Sequence, residues 1–146
     1  MHPNQSLNQS RRLRGFTLVE LLVVLAILGL LAGLVGPQVM SFLGSSKTKT
    51  AKLQIENLAA TLDMYRLEVG RYPTQSEGLQ ALVERPANIQ SWNGPYLRKG
   101  DVPKDPWGSD YQYRFPGEHG AFDIWSLGAD NREGGDGENA DIRSWD

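Results

Sequence analysis

Between Gly15 and Val35 the chain carries a single charged side chain, Glu20, and the next charge after it is Lys47. A helix rising about 1.5 Å per residue needs roughly 20 apolar residues to cross the hydrocarbon of a bilayer. Phe16 to Gly36 supplies that length, which predicts a membrane-embedded helix over 16–36. A carboxylate this close to hydrocarbon is costly, and ionisable residues in such segments are functional suspects. Glu20 therefore needs a partner.

Residues 1–14 hold Arg11, Arg12 and Arg14, no acid, and many Asn, Gln and Ser. Basic flanks stay cytoplasmic, so the expected orientation is N-in with the bulk of the chain outside. A secretory signal has an apolar region of about 7–15 residues followed by a small-x-small cleavage site. Here the run is longer and no such site follows it. The apolar run taken alone reads as an uncleaved signal anchor.

The hexapeptide Gly15-Phe16-Thr17-Leu18-Val19-Glu20 resembles the processing site of type IV pilins and of the pseudopilins of type II secretion. That resemblance implies cleavage by prepilin peptidase between Gly15 and Phe16 on the cytoplasmic side, and N-methylation of Phe16. A glycine before the cut suits a peptidase that must approach the backbone closely. Cleavage leaves a charged amine on Phe16, the natural partner for Glu20, within one subunit or between neighbours. An unpaired charge in low dielectric is strongly unfavourable, so such a pair is worth forming. In the family the acid at the fifth mature position pairs with the adjacent subunit's N-terminus during assembly, and Glu20 occupies that position.

The chain has 146 residues, enough for one domain plus an anchor. Loss of residues 1–15 removes three of fifteen basic residues and none of the seventeen acids, so the net charge moves from −2 to −5. That balance gives no electrostatic case for binding nucleic acid. There is no cysteine, which excludes disulfides, thiolate catalysis and cysteine-ligated metals. A small extracytoplasmic domain without disulfides can use a metal ion as its staple. His2 and His119 are the histidines, and His119 sits in the turn-like Pro116-Gly117-Glu118-His119-Gly120, where a solvated loop histidine is expected rather than a catalytic one.

Gly36-Pro37 interrupts the apolar run, and a kink or local melting of the helix is expected there. Beyond it, Ala51, Ile55, Leu58, Leu62, Tyr65 and Val69 recur at steps of four and three, the stripe of an amphipathic helix. Gly70 followed by Tyr72-Pro73 marks its C-terminal stop. Phe16 to Gly70 is thus expected to be one helix, apolar all round in its first half and striped in its second.

Ser76 to Val83 reads as a short helix, ended by Arg85-Pro86. Trp92 and Trp107 fall in a turn-rich segment and are expected in the core rather than on a sugar-binding surface. Tyr111, Tyr113 and Phe115 alternate at strand period, as do Phe122 and Ile124, with Pro116–Gly120 as a hairpin loop between them. A strand over Ala140–Trp145 would complete a small antiparallel sheet. Tyr72-Pro73-Thr74 with Gly78-Leu79, Asp105-Pro106-Trp107-Gly108 with Tyr111 and Tyr113, and Ser126-Leu127-Gly128-Ala129-Asp130 resemble successive blocks of the major pseudopilins, the general secretion pathway protein G family.

Asp130, Glu133, Asp136, Glu138 and Asp141 place five carboxylates within twelve residues, with Arg132 as the one base. Carboxylates among glycines suit a hard cation such as Ca²⁺, which takes 6–8 oxygen ligands, although the positions do not follow an EF-hand. Composition alone leaves a disordered acidic loop equally open. The resemblance implies calcium in this loop, held by the Leu127 backbone carbonyl and by loop carboxylates. Asp130 matches the family's Gly-Ala-Asp aspartate, and Asp136, Glu138 and Asp141 are the further candidates, with Glu133 pointing outward. Asn131 stands where the family usually has glycine, and asparagine tolerates positive φ.

The expected architecture is α+β and type IV pilin-like: a long N-terminal helix packed on a small C-terminal antiparallel sheet with a calcium loop. Its parts are a leader over 1–15, a transmembrane assembly helix over 16–36, an amphipathic helix over 37–70 and a periplasmic head over 71–146. The resemblance implies a structural subunit, not an enzyme, that sits in the bacterial inner membrane and polymerises into a periplasmic pseudopilus driving export of folded proteins. Prepilin peptidase, minor pseudopilins, an inner-membrane assembly platform, a cytoplasmic ATPase and an outer-membrane secretin are the partners it implies. A type IV pilin for adhesion or motility is the nearest alternative, disfavoured by the missing cysteine pair. A membrane-anchored domain that never assembles is the other. The absence of a nucleophile–base pair argues against catalysis.

Overall fold

The structure, a computed structural model, describes residues 14–146, so most of the expected leader lies outside the described residues. One helix, α1, spans Leu18–Val69. Three short strands follow: β1 (Gln112–Arg114), β2 (Asp123–Ser126) and β3 (Ile142–Arg143). They form one antiparallel sheet in the order β1-β2-β3, with Tyr113 opposite Ile124 and Ser126 opposite Ile142. The chain divides into two compact units between Val39 and Met40, and α1 contributes to both.

In the first unit α1 is long and apolar enough to cross a membrane. Leu18, Leu22, Leu30 and Leu34 are all exposed there, so none of the described residues covers them. The helix runs through Pro37 without a break, so the expected melting is absent. Proline crowds the residue before it and the carbonyl four residues back. Those positions are Gly36 and Gly33, which have no Cβ and have open space around them.

In the second unit the predicted stripe is the core. Ala51, Ile55, Leu58, Leu62 and Tyr65 are buried, and Val69 packs against them. Burying a leucine or isoleucine side chain stabilises a fold by about 1.5–3 kcal/mol, so this stripe holds the second half of α1 to the sheet. Tyr111, Tyr113, Ile124 and Ile142 form the facing surface, with Leu79, Ala81 and Leu82 closing one side. The helix stops at Gly70, whose φ is +94° and whose amide donates to the Arg66 carbonyl at 2.8 Å. Such a left-handed residue is the usual C-terminal cap, and glycine adopts it without steric cost.

Tyr72-Pro73-Thr74 then turns back along the sheet. The Tyr113 hydroxyl donates to the Pro73 carbonyl at 2.8 Å. The Gln75 amide bridges to β1, donating to the Tyr113 carbonyl and accepting from the Phe115 amide. Only Leu79–Leu82 of the expected helix forms, as a 3₁₀ turn, because Gly78 at φ +61° already breaks the helical path. Trp92 and Trp107 pack against the core as expected, and Trp92 Nε1 donates to the Ala81 carbonyl at 2.8 Å. The third strand is shorter than the expected 140–145, covering Ile142–Arg143.

Candidate functional site

Two regions carry the chemistry singled out in the sequence. At the start of α1, the Thr17 amide donates to Glu20 Oε2 and the Glu20 amide donates to Thr17 Oγ1, each at 3.2 Å. This is a reciprocal capping box, which satisfies two of the amides a helix N-terminus leaves free. Glu20 thus has a partner within its own chain, and its carboxylate is held at the positive end of the helix dipole. A Cβ added at Gly15 would meet nothing within 4 Å among the described residues, and Phe16 is almost fully exposed.

The second region is the acidic loop after β2. Its base is closed by the Ala129 amide, which donates to the Glu138 carbonyl at 2.8 Å. Gly128 sits there, buried at φ +70°, where an added Cβ would stand 2.7 Å from the Glu138 carbonyl oxygen and 2.8 Å from that of Ala140. Asn131 takes the expected left-handed conformation, φ +53°, and the Arg132 amide donates to Asp130 Oδ1 at 3.1 Å. A 3₁₀ turn over Gly137–Asn139 brings the chain back to β3.

The candidate ligands are not gathered by their side chains. Among the described residues no three His, Asp or Glu side chains stand together as a ready-made metal cluster. Asp130, Glu133, Asp136 and Glu138 are all exposed, and the Glu138 side chain lies over Gly44 of α1. Asp141 differs. Its side chain is 6 % exposed; Oδ2 accepts from the Gly134 amide at 3.1 Å and from Arg143 at 3.3 Å. Its Oδ1 is buried without a hydrogen-bond partner. A buried carboxylate oxygen with no donor is unfavourable unless something positive meets it. The Arg143 guanidinium stands on the other oxygen, and a hard, oxygen-seeking cation is a second group that would suit Oδ1.

Beneath the loop lies a polar network absent from the sequence reading. The Asp105 carboxylate is buried; Oδ1 accepts from the Trp107 and Ser109 amides at 3.1 and 2.8 Å, and Oδ2 accepts from the Ser126 hydroxyl at 2.7 Å. The Ser126 oxygen in turn accepts from the Gly128 amide at 3.2 Å. An Asp at the head of a Pro-Trp-Gly turn is the available signal, since Asp side chains bond the amides that follow them. Asp123 is fully buried under the Pro116–Gly120 segment and accepts from the Glu118 amide at 2.9 Å and from His119. Burial pushes its carboxyl up, but these hydrogen bonds outweigh burial and hold it below its ordinary value. His119 is exposed in its loop, as expected, but it also has partners. Its ring stacks on Trp145 at 4.1 Å and its Nδ1 meets Asp123 at 3.2 Å.

Residues 38–145 match the family model described as type II secretion system protein G, and residues 10–36 match the prokaryotic N-terminal methylation motif. The chain belongs to the type II secretion system protein G family. It is 50 % identical over 142 residues to the type II secretion system core protein G of Pseudomonas aeruginosa, covering 94 % of this chain and 99 % of that protein. The corresponding protein of Vibrio cholerae is 44 % identical, covering 95 % and 96 %. The crystal structure of the major pseudopilin from the type 2 secretion system of enterohaemorrhagic Escherichia coli superposes with a TM-score of 0.59 at 37 % identity, covering 73 % of this chain and 92 % of that one. As a protein G family member the chain is a structural pseudopilin rather than an enzyme. The methylation-motif match contains Gly15, Phe16 and Glu20, and the protein G match contains the whole acidic loop.

Proposed function

We propose that this major pseudopilin is cut between Gly15 and Phe16 and methylated on the new Phe16 amine. Residues 16–36 then anchor it, head outward, in the inner membrane. Subunits leave the bilayer by packing these helices together, building a periplasmic filament whose growth drives folded proteins through an outer-membrane secretin. The observation that carries this reading is the first half of α1, where Leu18, Leu30 and Leu34 are 79 %, 76 % and 69 % exposed. Lipid or other copies of the same helix must cover such a surface. Gly15, where an added Cβ would meet none of the described residues, suits a peptidase that engages the backbone. Glu20, already oriented by Thr17, takes the amine of a neighbouring subunit as its assembly partner.

Calcium is the proposed cofactor, held by the Leu127 carbonyl, Asp130 and Asp141, with Asp136 the further loop carboxylate. A bound cation would offset the charge of these acids. The loop's own amides, at Ala129 and Gly134, supply the geometry that keeps its ends together.

The test is intact mass analysis of the protein purified from membranes containing prepilin peptidase, alongside cross-linking of assembled filaments. We expect a mass lacking residues 1–15 and carrying one added methyl group. Glu20→Ala is expected to be processed normally yet to yield no cross-linked ladder. A full-length mass, or a ladder indifferent to Glu20→Ala, overturns the assembly reading.

A further inference from the structure

Four glycines lie inside α1, and glycine in a helix interior costs about 1 kcal/mol relative to alanine. Gly29, Gly33 and Gly36 have open space around them. Gly44 does not. It is buried, and a Cβ there would stand 2.5 Å from Glu138 Cδ, 2.6 Å from Cγ and 2.7 Å from Oε1. The end of the acidic loop therefore rests on the helix at a turn whose glycine puts no side chain in its way. Met40, Ser41, Ser45, Thr48 and Lys49 line the groove around this contact.

Glu138 thereby faces two ways. Its backbone carbonyl accepts from the Ala129 amide at the base of the loop, and its side chain lies across Gly44. Gly137, at φ +61° in the 3₁₀ turn, sets the direction in which the side chain leaves the loop. A carboxylate lying on the helix is not simultaneously turned into the loop as a ligand. We infer that Glu138 is a strap, not a calcium ligand: seated in the notch at Gly44, it couples the order of the acidic loop to the order of helix residues Met40–Thr48. This deepens the calcium reading and rests on it for one part, that a cation fixing the loop also steadies this stretch of helix.

The test is amide hydrogen exchange on the full processed chain in detergent micelles, with calcium or with chelator, for a double-mutant cycle of Gly44→Ala and Glu138→Ala. In chelator, Glu138→Ala is expected to speed exchange over Met40–Thr48 about fivefold, because local opening governs exchange there. In the Glu138→Ala background, Gly44→Ala is expected to slow that exchange, since alanine favours helix. With Glu138 present, Gly44→Ala is expected to speed it, because the new methyl displaces the strap. The same sign in both backgrounds overturns the proposal, as does unchanged exchange in Glu138→Ala.

Calcium titration separates strap from ligand. Glu138→Ala is expected to keep calcium affinity within about threefold of the wild type while losing the calcium-dependent protection of Met40–Thr48. A tenfold or greater loss of affinity makes Glu138 a ligand and overturns the proposal. A wild-type chain that takes up no calcium defeats the cation reading of the loop alone, and the chelator cycle still decides the strap.

Discussion

The Ser126 hydroxyl donates to the Asp105 carboxylate at 2.7 Å, and both side chains are buried. Through that one contact the turn at 105–108 is fastened to the end of β2, and the Gly128 amide bonded to the same oxygen carries the tie into the acidic loop. Ser126→Ala leaves a buried carboxylate oxygen and a buried amide without partners. It is expected to cost about 1–3 kcal/mol. Asp105→Ala is expected to cost more, because the Trp107 and Ser109 amides lose their acceptor as well. Urea unfolding should show a lower midpoint with an unchanged slope for Ser126→Ala; an unchanged midpoint refutes the role assigned to this network.

Two glycines of the loop make a matched pair. Gly128 and Gly134 both have positive φ, +70° and +82°, but only Gly128 is crowded, by the Glu138 and Ala140 carbonyls. Gly134→Ala suffers the backbone penalty alone, about 1 kcal/mol. Gly128→Ala adds a clash with backbone that has no flexible end to move aside, and is expected to cost roughly 3 kcal/mol. Thermal unfolding of the two variants side by side is the measurement, and equal losses would show that the carbonyls at the loop base yield easily.

How far the sequence reached follows from the range of the forces involved. The stripe from Ala51 to Tyr65 was legible because one helical period decides which side chains share a face. Gly70 and Asn131 were legible because their left-handed backbone is a local demand. The Thr17–Glu20 capping box is written in the sequence as a Thr-x-x-Glu spacing, a local signal that stands beside the Phe16 amine as a partner for Glu20. Gly44 and Glu138 are 94 positions apart in the chain, and no periodicity joins them. The same holds for Asp105 and Ser126, and for the His119–Trp145 stack. Such contacts depend on how loops return to the core, which local patterning does not encode.

The Arg71–Glu77 pair gives the head a pH dependence. Arg71 donates to both carboxylate oxygens at 2.8 Å, and the Thr74 amide adds a third bond at 2.9 Å. The guanidinium hydrogen bond outweighs burial and, with the Thr74 amide, holds the Glu77 carboxyl below its ordinary value. A carboxyl depressed in the folded state stabilises fully above its unfolded value and loses that stability as pH falls through the folded one. Asp123 acts in the same direction. The head is therefore expected to lose stability progressively as pH falls through and below the carboxylate range. Glu77→Gln should flatten that dependence at a cost of about 1–2 kcal/mol at neutral pH, discounted because Arg71 is partly exposed. Chemical unfolding across a pH series decides it; identical profiles for wild type and Glu77→Gln would exclude the pair as a source.

Calcium removal is expected to act through Asp141. In chelator, Asp141→Asn should change stability by no more than about 1 kcal/mol, because it removes a buried charge with one unpartnered oxygen while also weakening the Arg143 contact. With calcium the two proteins should diverge. A ligand that binds only the folded state stabilises it by about 2.7 kcal/mol at a hundredfold excess over Kd, and the wild type alone should gain this. Asp130→Ala should also lose most of the gain, whereas Glu138→Ala should retain it, since that side chain lies on Gly44 rather than in the loop. Melting temperatures of the four proteins, with calcium and with chelator, give the comparison. A calcium response that survives Asp141→Asn would place the ion away from the one loop carboxylate that the fold leaves buried and unsatisfied.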